Sequence, residues 1–216
     1  MPVRNGKPSA DRILETSEKV LAEHGYGEVS LRQLMAAAGV STTAFYARFD
    51  SKEAVMGALV TRLFSDLYAA APGVLDRARD LDTGIDVGVD LLCDLFAPRK
   101  ALVRMMLSEA GSAVAAVEAR RNAYRLLVGF LAARIRGIAS RVELRTRPSL
   151  ADGMGREPGN RPSRLELDPD ALAWALVGAL EIQIVRWAVW DEIELPELRL
   201  QLRGAARAIL PRTESV

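Results

Sequence analysis

Residues 30–54 read SLRQLMAAAGVSTTAFYARFDSKEA, and this stretch decides the fold of the amino-terminal region. Ser30 and Gln33 have the spacing of a capping box, which predicts that a helix begins directly after Ser30. Gly39 permits the left-handed turn that ends this helix, and Ser41 can cap the next one. Two short helices joined by a glycine-containing turn predict a helix-turn-helix, a motif whose second helix lies in the major groove of DNA.

The second helix of this motif carries side chains suited to nucleic acid. Thr42 and Thr43 place hydroxyl groups in its first turn, beside free backbone N–H groups and the positive end of the helix dipole. Tyr46 shares that face and can donate its hydroxyl to a phosphate, and Arg48 and Lys52 follow where backbone phosphates would lie. Structural roles stay open: Tyr46 as a core aromatic, the threonines as exposed polar residues, and the two cations as solvated charges.

The preceding helix adds further candidates. Arg32 is long enough to contact a guanine edge through two hydrogen bonds, although it could instead pair with Glu28 one turn earlier. The capping residues Gln33 and Ser41 complete the set of candidate DNA-binding residues. A flexible amino-terminal arm could add contacts through Arg4, Lys7 and Arg12.

Residues 39–54, GVSTTAFYARFDSKEA, resemble the DNA-binding domain of the TetR family of transcriptional regulators, and the likeness extends over residues 11–56. The resemblance implies an amino-terminal three-helix DNA reader, a larger helical domain that binds a small inducer, and a dimer. By position in the motif it implies DNA contacts at Arg32, Thr42, Thr43, Tyr46 and Lys52, and core positions at Phe45 and Phe49. The chain departs from the family pattern at Ala44 and at Arg48.

Helical spacing of apolar residues continues through the rest of the chain, whereas no stretch combines alternation with β-branched or aromatic enrichment. We therefore predict an all-α protein with a helix-turn-helix domain over residues 1–56 and a ligand-binding and dimerisation domain over residues 57–216. A helix from about Lys52 should stop or kink at residues 71–73, which read APG. Residues 146–169 contain four prolines and predict a long, mobile loop. The other helices are expected near Thr83–Phe96, Arg99–Gly111, Val114–Val142, Asp170–Glu194 and Pro196–Leu210.

Residues 171–190 are apolar nearly all round, so a helix there must be covered on both sides. One side can face the chain's own core and the other a second subunit. This predicts a homodimer through the helices near 171–191 and 197–210. Two alternatives stay open: a central helix of a monomer, and an adaptor that uses its tryptophan-rich surface to bind another protein.

A ligand cavity between the middle helices is harder to place, because methionine and aromatic residues also fill ordinary cores. Glutamates that interrupt apolar stretches could orient a polar or cationic ligand, or form salt bridges. The candidates for a ligand-binding site are Phe96, Met105, Met106, Glu109, Tyr124, Phe130, Trp174 and Glu181.

Composition excludes several classes of protein. The chain has 29 basic and 28 acidic residues, one cysteine and one histidine, so neither a disulfide within the chain nor a cysteine- or histidine-rich metal site is expected. An enzyme would have to use His24 with Cys93, an apolar setting for a nucleophile, and we expect no enzyme, metal or cofactor. Residues 1–9 lack the apolar core of a signal peptide. The longest uncharged apolar run, residues 171–180, is about half of a membrane crossing.

Together these features predict a cytoplasmic DNA-binding regulator. The expected function is that of a repressor on a palindromic operator of double-stranded DNA, released by a small-molecule ligand. The helix that begins at Lys52 would connect the ligand site to the DNA reader, because its apolar residues recur in steps of four from Val55 to Leu67.

Overall fold

The computed structural model describes residues 10–108, 113–146 and 168–210, with only the backbone for 138–146. Within these ranges the regular structure is entirely helical, which confirms the predicted all-α class. The helices are α1 (Ala10–His24), α2 (Leu31–Ala38), α3 (Thr42–Tyr46), α4 (Lys52–Leu75), α5 (Leu81–Phe96), a short 3-10 helix (Ala97–Arg99), α6 (Lys100–Leu107), α7 (Val114–Thr146), α8 (Pro169–Ala188) and α9 (Leu195–Ile209).

The caps expected from the sequence form at both short helices. The Ser30 hydroxyl accepts a hydrogen bond from the Gln33 backbone N–H, while the Gln33 side-chain oxygen accepts one from the Ser30 N–H at 2.8 Å. Gly39 adopts φ 61° and ψ 40°, a conformation that glycine enters without steric cost. Ser41 caps α3 by accepting from the Ala44 N–H at 3.2 Å. These bonds fix where each helix begins and the angle between them.

One hydrophobic core runs from the amino-terminal helices into the larger bundle. Ile13, Leu34 and Phe45 are fully buried between α1, α2 and α3, and Val55 and Leu59 of α4 continue the same cluster. The boundary predicted near residue 56 therefore lies inside a helix whose buried face is continuous. It remains a prediction about organisation.

Several helix ends differ from the sequence expectations. α4 does not stop at Pro72 but continues to Leu75, and the Asp76 N–H still bonds to the Pro72 carbonyl at 2.9 Å. α8 ends at Ala188 instead of reaching residue 194, because Asp191 takes a left-handed conformation at φ 51°. α6 ends at Leu107. Residues 109–112, most of the expected loop at 146–169 and the amino-terminal arm lie outside the described residues.

α5 and α9 are joined by a ladder of ion pairs that the sequence analysis missed. Its rungs have nitrogen–oxygen distances between 2.6 and 3.1 Å. They join Arg199 to Asp90 and Asp94, Arg203 to Asp86 and Asp90, and Arg207 to Asp82 and Asp86. Both sets repeat every fourth residue, so each lies on one side of its helix. These partly exposed pairs contribute at most about 1 kcal/mol each.

By length and composition alone, α4 and α8 could each cross a membrane, which is weak evidence because core helices of other proteins share these properties. In this structure α4 packs against α5 and α7, and α8 packs against α7 and α9. Each helix thus buries part of its apolar surface within the bundle.

Candidate nucleic-acid interface and ligand cavity

The α2–turn–α3 unit displays five exposed side chains that the sequence analysis selected. We call this set the reading surface, and it comprises Arg32, Thr42, Thr43, Tyr46 and Arg48. None of the five side chains makes a hydrogen bond or ion pair with another described residue, so the expected alternative pair of Arg32 with Glu28 does not form.

α3 is held in place from its opposite side. Phe45 is fully buried, and Phe49 packs against it with the ring centroids 5.9 Å apart. Tyr46 touches Phe45 edge-on at 6.0 Å but is 48% exposed, so it is not the core aromatic that the alternative required. The buried phenylalanines therefore fix the orientation of the helix, while its polar residues face solvent.

Lys52 does not occupy the position of a free surface cation. Its ammonium donates to the carbonyls of Tyr26 at 2.8 Å and Val29 at 2.9 Å, and it lies 4.3 Å from the centre of the Tyr26 ring. It thereby ties the loop between α1 and α2 to the start of α4. The structure corrects the expectation that Lys52 is available to a phosphate, since most of its donor capacity is used inside the protein.

The loop tied by Lys52 also holds a buried phenol. Burial raises the pKa of Tyr26 to about 12, and the nearby Glu53 carboxylate adds to the shift. The pKa of Glu53 is lowered, first by a backbone hydrogen bond and then by the hydroxyl of Ser51. Around neutral pH Tyr26 is therefore uncharged and Glu53 is ionised, which balances the ammonium of Lys52.

Two other candidates have structural roles. Gln33 and Ser41 use their side-chain oxygens as helix caps, which leaves the Gln33 amide nitrogen without a partner among the described residues. Arg12 lies in α1 and donates to the Ala38 carbonyl at 3.1 Å. This corrects the expectation that Arg12 belongs to a flexible arm, because its guanidinium ties α1 to the end of α2. Arg4 and Lys7 lie outside the described residues.

Arg99 joins the amino-terminal helices to the larger bundle, a role that the sequence analysis did not identify. Its guanidinium binds both oxygens of Glu18 in α1, at 2.7 and 2.9 Å, and Asp66 of α4 at 3.1 Å. A bidentate guanidinium–carboxylate pair fixes the relative orientation of its two side chains as well as attracting them. No local motif marks it, since the two partners are 81 residues apart in sequence.

A small cavity of about 40 Å³ lies between α4, α5, α6, α7 and α8. Four of the eight ligand candidates line it, namely Phe96, Met106, Tyr124 and Glu181. The other described candidates do not. Met105 is buried elsewhere in the core, Phe130 lies beneath the guanidinium of Arg134, and Trp174 is half exposed. Glu109 lies outside the described residues.

The cavity wall is apolar except at one end. Phe64 of α4 packs edge-on against Tyr124, with ring centroids 5.9 Å apart. Burial raises the pKa of Tyr124, and the charge of the neighbouring Glu181 carboxylate raises it further. The phenol therefore stays protonated and can act as a donor. Because Phe64 and Leu67 belong to α4, this helix contributes to the cavity as well as to the amino-terminal core.

α8 and α9 present apolar side chains to solvent. Trp174 is 49% exposed, Ile182 44% and Leu200 67%, while Ala175 and Gly178 lie beside them on α8. We call these five residues the α8–α9 face. Apolar residues exposed together on neighbouring helices are typical of surfaces that another molecule covers.

An enzyme would have to use Cys93 as its nucleophile and His24 as its base, and Cys93 is poorly suited to this role. Cys93 is buried, and burial raises the pKa of its thiol to about 11. The thiol is therefore protonated near neutral pH, whereas nucleophilic attack requires a thiolate. His24 is exposed on α1, where Glu23 is its neighbour at 3.9 Å.

The all-helical fold and the capped α2–turn–α3 unit define a helix-turn-helix protein with a larger helical domain. Comparison with known proteins shows what this helix-turn-helix region is similar to. Residues 13–59 match the model for bacterial regulatory proteins of the tetR family. The helix-turn-helix of this chain is therefore similar to that of tetR-family regulators.

The most similar curated proteins include two mycobacterial regulators. The HTH-type transcriptional regulator EthR of Mycobacterium tuberculosis is 30% identical over 107 residues, which cover 47% of this chain and 50% of that protein. The HTH-type transcriptional repressor DhaR of Mycobacterium sp. strain GP1 is 34% identical over 71 residues, or 33% of this chain and 36% of that protein. The chain thus matches about half the length of these relatives or less.

Solved structures share the fold over nearly the whole chain. A TetR-family transcriptional regulator from Syntrophomonas wolfei has a TM-score of 0.74 at 18% identity, covering 93% of this chain and 94% of that one. The fatty acid degradation regulator FadR from Bacillus halodurans has a TM-score of 0.67 at 19% identity, with 97% of both chains covered. At these identities the likeness establishes the fold alone.

Proposed function

We propose that this protein is a cytoplasmic transcriptional repressor that binds a palindromic operator as a homodimer and is released by a small-molecule ligand. The observation that carries the proposal is the reading surface. Its two arginines are exposed and lack partners among the described residues, whereas arginines such as Arg99, Arg199 and Arg203 are paired with carboxylates. Unpaired cations on a helix-turn-helix are available to phosphates and base edges.

The residues of the reading surface differ in what they can recognise. Arg32 has the donor geometry for a guanine edge, and Thr42 and Thr43 can contact a base edge or a thymine methyl. Tyr46 and Arg48 are suited to phosphates, which position the protein without reading sequence. Lys52 supports this surface by holding the loop before α2, as its two carbonyl contacts indicate.

Dimerisation follows from the size of the reader and from the α8–α9 face. α3 has only five residues, so one subunit can contact few bases. Two subunits related by a twofold axis would read two half-sites about one helical turn of DNA apart. The small residues Ala175 and Gly178, next to Trp174 and Ile182, allow a partner helix to approach closely.

Ligand control is supported by the course of α4. This helix begins beside α3, contributes Phe64 and Leu67 to the cavity, and is bound through Asp66 to Arg99. A ligand that separates the cavity walls by displacing α4 would also move the helix-turn-helix. The similar DhaR is named a transcriptional repressor. This likeness, together with the position of the cavity, favours a repressor that the ligand releases from DNA over an activator.

The test of DNA binding begins with a pool of random-sequence duplexes, from which the purified protein selects its preferred sequence. Binding to the selected duplex is then measured by fluorescence polarisation at several salt concentrations. We expect a sequence with twofold symmetry and an affinity that falls steeply with salt. Selection of no sequence over the random pool would refute the proposed function.

Two substitutions separate the roles assigned within the reading surface. Arg48→Ala should weaken binding to all duplexes alike, whereas Arg32→Ala should also reduce discrimination at one base pair of each half-site by about 1–3 kcal/mol. Arg121→Ala is the matched control, because Arg121 is an exposed arginine on α7, outside the helix-turn-helix. An equal loss on every duplex for Arg32→Ala would contradict its role in base recognition.

Dimerisation is tested by light scattering after size-exclusion chromatography. The wild-type chain should have twice the mass of one subunit. Leu200→Lys, which places a charge in the α8–α9 face, should produce monomers with an unchanged helical circular dichroism spectrum. Leu126→Lys is the control, since Leu126 is similarly exposed at 63% but lies on α7. A monomeric wild-type protein would contradict the assignment of this face.

A further inference from the structure

Among the described residues that line the cavity, Glu181 is the only one with a charged side chain. It extends from α8 beside the apolar Leu180 and Ile184, opposite the ring of Tyr124. No lysine or arginine nitrogen of the described residues lies within 4.0 Å of its carboxylate. Arg120 of α7 is close enough to lower the pKa of Tyr124, but its guanidinium donates to the Met106 carbonyl at 3.1 Å.

This arrangement leaves a carboxylate with acceptor capacity to spare at the edge of an apolar space. An ionised carboxylate offers about four acceptor positions. A charged group beside apolar walls is costly unless an opposite charge compensates it. Other carboxylates of the larger domain have such partners: Asp90 is paired with Arg199 and Asp170 with Arg136.

We propose that the ligand of this cavity is an apolar organic cation, with an ammonium group bound by Glu181 and an apolar body enclosed by the aromatic and aliphatic walls. The inference rests on the proposed function and specifies the chemical class of the effector. Neutral molecules of the same shape would leave the carboxylate uncompensated, and carboxylic acids would be repelled by it.

The size of the cavity adds a mechanical consequence. A volume of about 40 Å³ has room for a few water-sized groups, since a single water needs about 10–15 Å³. An ammonium group fits, but the apolar body that accompanies it requires the walls to separate. Phe64 and Leu67 form part of these walls, so binding of the cation would be accompanied by movement of α4.

The test uses three probes that share a phenylbutyl body and differ only in their head group: 4-phenylbutylamine, 4-phenylbutanol and 5-phenylpentanoate. Isothermal titration calorimetry on the DNA-free protein near neutral pH gives the affinity of each. We expect the amine to bind about tenfold or more tightly than the alcohol, and the carboxylate to bind more weakly than the alcohol.

Glu181→Gln supplies the decisive comparison, because the amide keeps a hydrogen-bond acceptor for Tyr124 but removes the charge. In this variant the amine should lose its advantage while the affinity for the alcohol stays within about threefold of wild type. Glu118→Gln, an exposed carboxylate on α7 with no ion pair among the described residues, is the matched control and should retain the preference. Arg120→Gln should retain it as well, because Arg120 does not compensate Glu181.

Three outcomes would overturn the assignment: equal or stronger binding of the alcohol or carboxylate, an amine preference that survives Glu181→Gln, or no binding of any probe. None of these measurements involves DNA, so they are independent of the operator test. A protein that binds the amine through Glu181 but selects no DNA sequence would support the ligand class while refuting the proposed function. A protein that binds its operator but shows no amine preference would support the proposed function while refuting the ligand class.

Discussion

Lys52 gives the sharpest test of the structure, because its sequence position and its observed contacts lead to opposite expectations. The motif places a cation there that could neutralise a phosphate, whereas the structure uses its ammonium to hold the carbonyls of Tyr26 and Val29. Lys52→Met keeps the aliphatic stem and removes only the charge and its donors. The two readings then predict different losses.

The expected loss of stability can be worked out from the contacts. Hydrogen bonds from a charged donor contribute about 1–1.5 kcal/mol each at a partly solvated site, and the ring contact about 0.5 kcal/mol. The sum is about 2.5–3.5 kcal/mol, part of which reflects the Val29 carbonyl left without a donor. With a urea dependence of about 2–3 kcal/mol per molar for a protein of this size, the unfolding midpoint should fall by about 1 M.

The assay combines two measurements at one fixed protein concentration. Urea unfolding followed by circular dichroism gives the midpoint, and the salt dependence of operator binding counts the phosphates that are neutralised. For Lys52→Met we expect the lower midpoint with an unchanged salt slope. Lys19→Met, an exposed cation on α1, should change neither. A salt slope reduced by about one with an unchanged midpoint would refute the structural role of Lys52.

Three further predictions concern the fold. Gly57→Ala would place a Cβ atom 3.0 Å from the Ala115 carbonyl oxygen, so we expect a net loss of about 1 kcal/mol, whereas Gly129→Ala, with no atom within 4 Å, should gain up to about 1 kcal/mol. Equal urea midpoints for the two would contradict the close approach of α4 and α7. Ser30→Ala should cost about 1 kcal/mol in the same assay and Ser30→Asp much less, because aspartate also caps helices. Lys100 and Arg104 hold the pKa of Asp191 below its usual value, so the stabilisation from this carboxylate is present at neutral pH and is lost as the pH falls through the lowered pKa. Asp191→Asn should therefore lower the urea midpoint at neutral pH and approach wild type toward about pH 3, and a constant difference across that range would count against the ion pair.

Local signals in the sequence were sufficient for the helix-turn-helix. A cap, a left-handed glycine and the spacing of Phe45 and Phe49 act within a few residues, so a sequence window contains all the groups involved. The partner of Lys52 was not predictable in this way. A motif shows where a cation lies in the chain, but its contacts depend on a loop 23 to 26 residues earlier.

The ligand candidates show a second limit of the sequence. Tyr124 and Glu181 are ligand candidates because they place polar groups within apolar stretches of the sequence, and both line the cavity. Met105 and Trp174 also lie in apolar stretches of the sequence, yet Met105 lies in the core and Trp174 faces solvent. The direction of a side chain on a helix that is apolar all round depends on the surrounding helices, which periodicity alone does not reveal.

The ladder between α5 and α9 has a consequence for how these helices can move. Residue numbers rise along α9 as those of its partners fall along α5, so the two helices run antiparallel. The paired arginines and aspartates recur every four residues on both helices. Sliding α9 by one turn so that Arg203 lies opposite Asp90 and Asp94 would give Arg203 and Arg207 two aspartates each again. Arg199 would keep Asp94 and lose one partner. The charges therefore align the two axes without choosing an axial register, and that choice falls to the unevenly sized apolar residues beneath them, such as Leu202 and Cys93.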